Sequence, residues 1–527
     1  GTIHTPEILG YMVFQKNVQV QCIEGLMMET QITYPVTSNA VLVNFSFPFD
    51  YAPGVFGMLG SLNSLADSTL LRSFQRTATH VYYITQEDQC FDEETRHTTA
   101  ETAFAFVVGE SAVANANVAE TSCLIAYNNA FLPEEPSSQP SALSDLAWLQ
   151  LGSDLDGTVT GDAFGSGVWI SKDGTRLAVG SPESDNFAEK AGKVSMFEFE
   201  PATGAWNKLG GDILGEGSGD KSGNALALSS DGSRVAIGAD KNDGFGPNAG
   251  HVRVFDYIVG SNAWVQVGFD IDGEDDIDVS GRSVSLSDDG TRVAIGASLN
   301  DGSGDSAGHV RVYDYSSGNW TQVGADIDGE GAGDQSGISV SLSGEGGVLA
   351  IGAFLNDGVA GSESGHCRVF KYVLGSNAWV QLGQDIDGEA AEDRSGYRVS
   401  LSDDGNRVAL SSHLNDNNRG HVRVFEFQSV NSLWTQLGAA IDGEAVGDLS
   451  GWSVSLSGSG ERVAIGAQAN NASGTGSGHV RVFEYVAETA LWDQLGSDLD
   501  GESAGDSSGI SVSSGYRCSV EQWWRGR

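Results

Sequence analysis

A nine-residue loop, Asp-x-Asp-Gly-Glu-x-x-x-Asp, recurs along the second half of the chain and carries its most reactive-looking side chains. One copy supplies Asp270, Asp272, Glu274 and Asp278, and the next Asp326, Asp328, Glu330 and Asp334. Further copies supply Asp385, Asp387, Glu389 and Asp393, then Asp498, Asp500, Glu502 and Asp506. Three copies depart: Thr158 replaces the Glu, Leu214 the second Asp and Ala440 the first. A second acidic turn, Asn-Asp, recurs between these loops and adds Asp301, Asp357 and Asp416. Carboxylates on flexible loops are what a hard cation requires. Ca²⁺ accepts about six to eight oxygens from such loops, whereas Mg²⁺ demands a stricter octahedron. The expectation is therefore a Ca²⁺ site built from these residues. The competing reading is turn chemistry, because Asp-Gly and Asn-Asp are good turn formers that cap their own loops.

Other candidates for chemistry repeat too evenly to form one catalytic centre. His251, His309, His366, His421 and His479 all sit in a Gly-His-Val/Cys-Arg-Val sequence. A general base is needed once, in one place. Five equivalent histidines point instead to a blade-building role, such as a hydrogen bond at the start of a strand. Arg253, Arg311, Arg368, Arg423 and Arg481 are expected to pair with loop carboxylates. Cys367 replaces a strand Val and reads as a buried thiol. No Ser/His/Asp arrangement or phosphate-binding glycine loop stands out, so no catalytic residue is expected.

The elements that must position these residues come from the repeat. Its leading Trp falls at 148, 206, 264, 320, 379, 434 and 492, giving six complete units and the start of a seventh. Each unit holds four strand signals separated by Gly/Asp turns, and in the third they are Ala263–Phe269, Arg282–Ser287, Thr291–Ala297 and His309–Tyr315. Asp-Gly supplies the positive-φ hairpin geometry at Asp289-Gly290. Four strands per unit and no helical period describe a β-propeller. Strands one and two run antiparallel, so the inter-unit loop and the Asn-Asp loop meet on one face. The strand Trp148–Leu155 is expected to close the ring as the outer strand of the last blade, since closure removes exposed edges.

Charge narrows the partners. Asp+Glu is 71 against 28 Lys+Arg, a net −43, which repels phosphate backbones and excludes nucleic acid. No apolar run reaches the roughly 18 residues of a membrane span. Of five cysteines three fall within the first 123 residues, so one disulfide there is compatible with the count but its pairing is unreadable. Sequons stand at Asn44, Asn319 and Asn471.

Two resemblances follow from quoted residues. Gly161-Asp162-Ala163-Phe164-Gly165 followed by Leu177-Ala178-Val179-Gly180-Ser181-Pro182 resembles the FG-GAP repeat of integrin-α-type propellers, over about residues 148–513. That resemblance implies seven blades, an extracellular setting and adhesion. The family's own calcium loop lies between strands one and two, where this chain has only a short Asp-Asp-Gly turn, so that site does not transfer. Upstream, Tyr34–Val43, Arg72–Thr85 and the His97-Thr98-Thr99 strand resemble an H-type lectin domain, with His4-Thr5-Pro6-Glu7 as the tail of an earlier copy. None of that family's sugar-contacting residues is recognisable.

The expected architecture is all-β. Residues 1–15 are the tail of a preceding lectin-like repeat and 16–131 an antiparallel β-sandwich. Residues 132–147 are a Pro/Ser linker, 148–513 a seven-bladed β-propeller with an incomplete last blade, and 514–527 an out-of-register tail. Both ends look cut. The expected function is that of a non-enzymatic, extracellular or cell-surface adhesion, matrix or carbohydrate-binding protein. Its partners would be glycans or extracellular proteins. The alternatives are an accessory region of a larger secreted enzyme and a structural assembly protein.

Overall fold

The computed structural model describes residues 148–514 in full. It also gives the backbone of a set of strands before residue 128 and of Trp523–Arg525. The chain divides into two units, Gly1–Ser138 and Gln139–Arg527. In the first unit the described strands all pair antiparallel, among them Val18–Cys22 with Cys123–Tyr127, in whose register Cys22 opposes Cys123. Beyond these strands, the expected earlier repeat tail, lectin-like sandwich, linker at 132–147 and tail after residue 514 lie outside the described residues.

The second unit is a β-propeller of six blades. In the third, Ser283–Leu286, Arg292–Ala297, His309–Ser316 and Asn319–Gln322 form a sheet in sequence order, and the short strand Ile327–Asp328 pairs back onto the start of strand three. Sequence explains each part. Arg292–Ala297 lies in mid-sheet and is apolar on both faces, so all but its first residue is buried. Ser287 and Asp289 fasten the hairpin, Gly290 N–H donating to Ser287 O at 2.8 Å and Thr291 N–H to Asp289 Oδ1 at 2.9 Å. Gly290 has φ +68°, which a residue with a Cβ adopts only at a cost. The one helical element among the described residues is the turn Asn415–Asn418.

Neighbouring blades are joined by repeated devices. The Trp320 indole N–H donates to Val267 O of the previous blade at 2.9 Å, and its ring lies so close to Gly268 that a Cβ there would stand 2.7 Å from Cδ1. Arg292 forks onto Asp314, reaches Gly346 O in the next blade at 2.9 Å and lies over the Tyr372 ring at 4.6 Å. Around the central channel the inner strands share no ladder. Serine hydroxyls accept their outward N–H groups instead: Leu342 N–H to Ser285 at 2.9 Å, Leu401 to Ser341 at 2.9 Å and Leu456 to Ser400 at 2.9 Å.

Two expectations change. The structure has six blades, not seven. In the place of a seventh stands the inner strand Val512–Ser514, paired antiparallel with Trp523–Arg525 and linked to blade six by Ser514 N–H to Ser455 Oγ at 3.1 Å and to blade one by Ile170 N–H to Ser513 Oγ at 3.2 Å. Trp148–Leu155 is not a strand. Its Trp148 packs with Leu495 and Val512, and the indole donates to Ser497 O at 3.0 Å. Beyond Ser514 the sequence leaves the repeat, and among the described residues no third strand of this sheet is present for Trp148–Leu155 to join.

Candidate metal centres

Strand three opens with His309 and continues to Arg311, two residues on and therefore on the same face. The inter-blade loops converge on that face. The structure splits the predicted acidic set into three groups there. The last Asp of each loop folds back into its own turn. Asp278 Oδ2 accepts from Asp275 N at 3.0 Å and from Asn300 Nδ2 at 3.0 Å, Asp334 from Gly331 N and Asn356 at 2.9 Å each, and Asp393 from Ala390 N at 3.0 Å and Asn415 at 3.1 Å. Asp506 caps Ser503 N at 2.7 Å. Asp301 caps Ser306 N at 2.6 Å, Asp357 caps Glu363 N at 2.9 Å, and Asp416 pairs with Arg419 at 3.2 Å.

The second group lies beside strand three. Asp272, Asp328, Asp387 and Asp500 are register partners of His251, His309, His366 and His479. The backbone carbonyls of Asp272, Asp328 and Asp387 accept from Arg311, Arg368 and Arg423 of the following blade. Burial, and then the adjacent Asp270 and Asp385, raise the Asp272 and Asp387 carboxyls above the usual range. Glu502 belongs to the last loop, after which no strand-three His follows.

The third group is one that spacing did not reveal. Glu274 leaves its own loop for the next blade, where its carboxylate lies 3.9 Å from His309 Nδ1 and 3.3 Å from Arg311, with Asp326 beside it. The same triad recurs as Glu216–His251–Asp270, Glu330–His366–Asp385 and Glu444–His479–Asp498, each with its ligand atoms within 4.8 Å of one another. Glu389 reaches His421 at 3.8 Å in blade five, but Ala440 stands where the Asp should be and the triad is incomplete. Each first Asp also holds a Gln amide: Asp270, Asp326 and Asp385 at 2.6 Å, and Asp498 at 2.7 Å.

The histidines do not make the expected structural hydrogen bond. His309 Nε2, His366 Nε2 and both ring nitrogens of His479 have no partner, although each ring is at most 2% exposed. His479 Nδ1 faces Glu444 at 3.8 Å, Asp500 at 3.9 Å and Asp498 at 4.0 Å. These separations are too long for hydrogen bonds and a little longer than the roughly 3.4 Å between two ligands of a tetrahedral ion with bonds of about 2.1 Å. Burial, and then Arg253 or Arg368, holds His251 and His366 down at about 4, and burial, then Arg311 or Arg481, lowers His309 and His479. At neutral pH the rings are therefore uncharged, the form that ligates a metal.

No protein-family model and no curated protein matches the chain. Solved structures do match. A periplasmic gluconolactonase from Pseudomonas aeruginosa is 16% identical, with a TM-score of 0.45, over 69% of this chain and 88% of its own. A proposed 6-phosphogluconolactonase from Bacteroides uniformis is 14% identical, with a TM-score of 0.44, over 68% of this chain and 88% of its own. The likeness is one of fold. These neighbours carry the names of sugar-lactone enzymes rather than of integrins, lectins or matrix proteins. The expectation of a non-enzymatic adhesion or carbohydrate-binding protein is corrected accordingly and is not carried further. No helix among the described residues is long and apolar enough to cross a membrane.

Proposed function

We propose that the propeller is a divalent-cation-binding scaffold in which ions clasp adjacent blades together at the Glu–His–Asp triads. The observation that carries this reading is the buried ring of His479, whose Nδ1 has no protein partner and faces Glu444 from one inter-blade loop and Asp498 and Asp500 from the next. Blade one lends support. Lys193 stands where the other blades place His, and its ammonium bonds Asp162 at 2.8 Å with both side chains only 7% exposed. A covalently fixed cation thus starts from the same strand position, reaching the last Asp of its loop, the counterpart of Asp278, where Thr158 has removed the triad Glu.

One imidazole beside two carboxylates suits Zn²⁺ or Mn²⁺ better than Ca²⁺, whose ligands are oxygens. The reading retains an FG-GAP-type repeat and an extracellular setting, supported by the Gly pattern at Gly161–Pro182 and by the sequons. The test is titration calorimetry of the full chain with Zn²⁺, Mn²⁺, Ca²⁺ and Mg²⁺. Four equivalents of Zn²⁺ or Mn²⁺ are expected, one for each triad, and three for His479→Gln. Heats no larger than those of Mg²⁺, or a stoichiometry unchanged in His479→Gln, would defeat the proposal.

A further inference from the structure

Closer to the axis, on the same face, the repeat breaks down. Blades three and six place Ser283 and Ser453 at the start of strand one, each bonding a carbonyl of the following repeat, Gly337 O at 2.8 Å and Gly509 O at 2.7 Å. Blade five puts Arg398 there. Where blade three ends strand two with Gly296-Ala297-Ser298, blade five has Ser411-Ser412-His413. The residue before Arg398 is Tyr397, matched by Trp452 in blade six and Arg282 in blade three. In a protein whose architecture is repeated, residues that serve architecture recur. These do not, and they are concentrated around one mouth of the channel.

Their geometry is unusual for so acidic a chain. The Arg398 side chain makes one protein hydrogen bond, to Tyr397 O at 3.1 Å, and no described carboxylate lies within 4.0 Å of it, although Asp+Glu outnumber Lys+Arg 71 to 28. Its guanidinium lies over the Tyr397 ring at 4.5 Å. Burial works against its charge, and Arg282 adds to that pressure. Arg282 is held 3.3 Å from Asp240, a residue 2% exposed whose other oxygen has no partner. His413 is 4% exposed, its Nδ1 has no partner, and burial with Arg398 and Arg394 holds it at about 3. Its ring is 4.1 Å from Tyr397, which is in turn 5.3 Å from Trp452.

Partly buried guanidinium groups are ordinarily paired. Leaving Arg398 without a carboxylate is costly unless something else supplies the negative charge, and the charge of Arg282 adds to that cost. Aromatic faces beside the two cations give that something a ring to rest against. We propose that this mouth binds a small oxyanion, a carboxylate or phosphate, carried on a ring that packs against Tyr397 and Trp452. Arg398 and Arg282 engage the anion, and His413 offers its unpaired nitrogen. None of these residues belongs to the cation triads, so the two proposals stand or fall separately.

The test is titration of the full chain in metal-free buffer with benzoate and phenyl phosphate, with acetate and inorganic phosphate as ring-free controls. One or both ring-bearing probes should bind more tightly than the matching control. Arg398→Gln should weaken binding at least tenfold with an unchanged melting temperature, Arg398→Lys should weaken it less, and Trp452→Leu should narrow the gap between benzoate and acetate. Absence of binding by both ring-bearing probes at about 10 mM overturns the proposal. Equal binding by wild type and Arg398→Gln overturns it as well. Arg398→Lys separates loss of charge from loss of fold should Arg398→Gln prove unstable.

Discussion

The triads make a quantitative prediction about heat stability. An ion that binds only the folded chain stabilises it by about 2.7 kcal/mol per site at one hundred times its dissociation constant. Residues 148–514 unfold with an entropy of about 2.1 cal/mol/K per residue, or about 0.8 kcal/mol/K in all. Each occupied triad should then raise the melting temperature by about 3–4 °C, and four by about 14 °C. Blade five provides the sharper perturbation. Glu389 and His421 are already in place there, and Asp442 adds a carboxylate 3.9 Å from His421 Nδ1. Only the first Asp is missing, so Ala440→Asp should add a fifth equivalent of Zn²⁺ or Mn²⁺ and a further increment of about 3–4 °C. The increment should vanish without metal, since the added carboxylate then only adds repulsion. The assay is differential scanning calorimetry with metal analysis of the dialysed protein. A fifth ion that fails to appear, or a gain equal in chelator and in metal, would refute the reasoning.

Other outcomes follow from the same contacts. Trp320→Phe keeps most of the packing but loses the 2.9 Å bond to Val267 O and should cost about 1 kcal/mol, whereas Trp320→Ala should cost about 3–5 kcal/mol, both read by urea melts. At the opposite end of the channel Lys172 bridges Asp288 and, at 2.6 Å, Asp403. Lys172→Met should cost about 1 kcal/mol at neutral pH, discounted for side chains 30–42% exposed. Burial has raised the Asp288 pKa above its unfolded value, so its neutral form is favoured in the fold. The cost is therefore full above the folded pKa and should fade as pH drops through it into the carboxylate range. A gap that widens in acid would count against this account.

Blade architecture could be read because its causes are local. Asp289-Gly290 fixes a hairpin, and the strand expected at Arg282–Ser287 is found at Ser283–Leu286. The meeting of the inter-blade loop with the Asn-Asp loop was also visible, and Asn300 does bond Asp278. What spacing concealed was the destination of each carboxylate. Asp278 turns inward because three nearby donors, two of them backbone N–H groups of its own loop, capture one oxygen. Glu274 reaches a different blade because ring geometry places strand three of that blade against it, a relation between residues 35 positions apart. The histidines could have been found. His309 and Arg311 alternate onto the loop-facing side of one strand, a period-two signal that repetition disguised as pure architecture. That the last blade is incomplete was legible in the departure from the repeat after Ser514; that Trp148–Leu155 would not form its outer strand was not.

Recurrence and departure therefore point to two chemistries of opposite sign on one face, and the net charge of −43 gives a way to tell them apart. The field of so acidic a surface concentrates cations and repels anions over distances comparable to the Debye length, about 30 Å at 0.01 M salt and about 10 Å at 0.1 M. Cation association at the Glu–His–Asp triads, whose glutamates are exposed, should accordingly weaken as salt rises across that range. The oxyanion must cross the same field to reach Arg398 and Arg282, whose attraction is short-ranged and partly shielded from solvent. Its association rate should rise over that range, provided the added salt carries a large, weakly competing anion. Stopped-flow measurements with Zn²⁺ and with phenyl phosphate at the two ionic strengths test this directly. Parallel salt dependences for the two ligands would mean that both are held by the same diffuse electrostatics, and that the arginines at the mouth do not form a separate site.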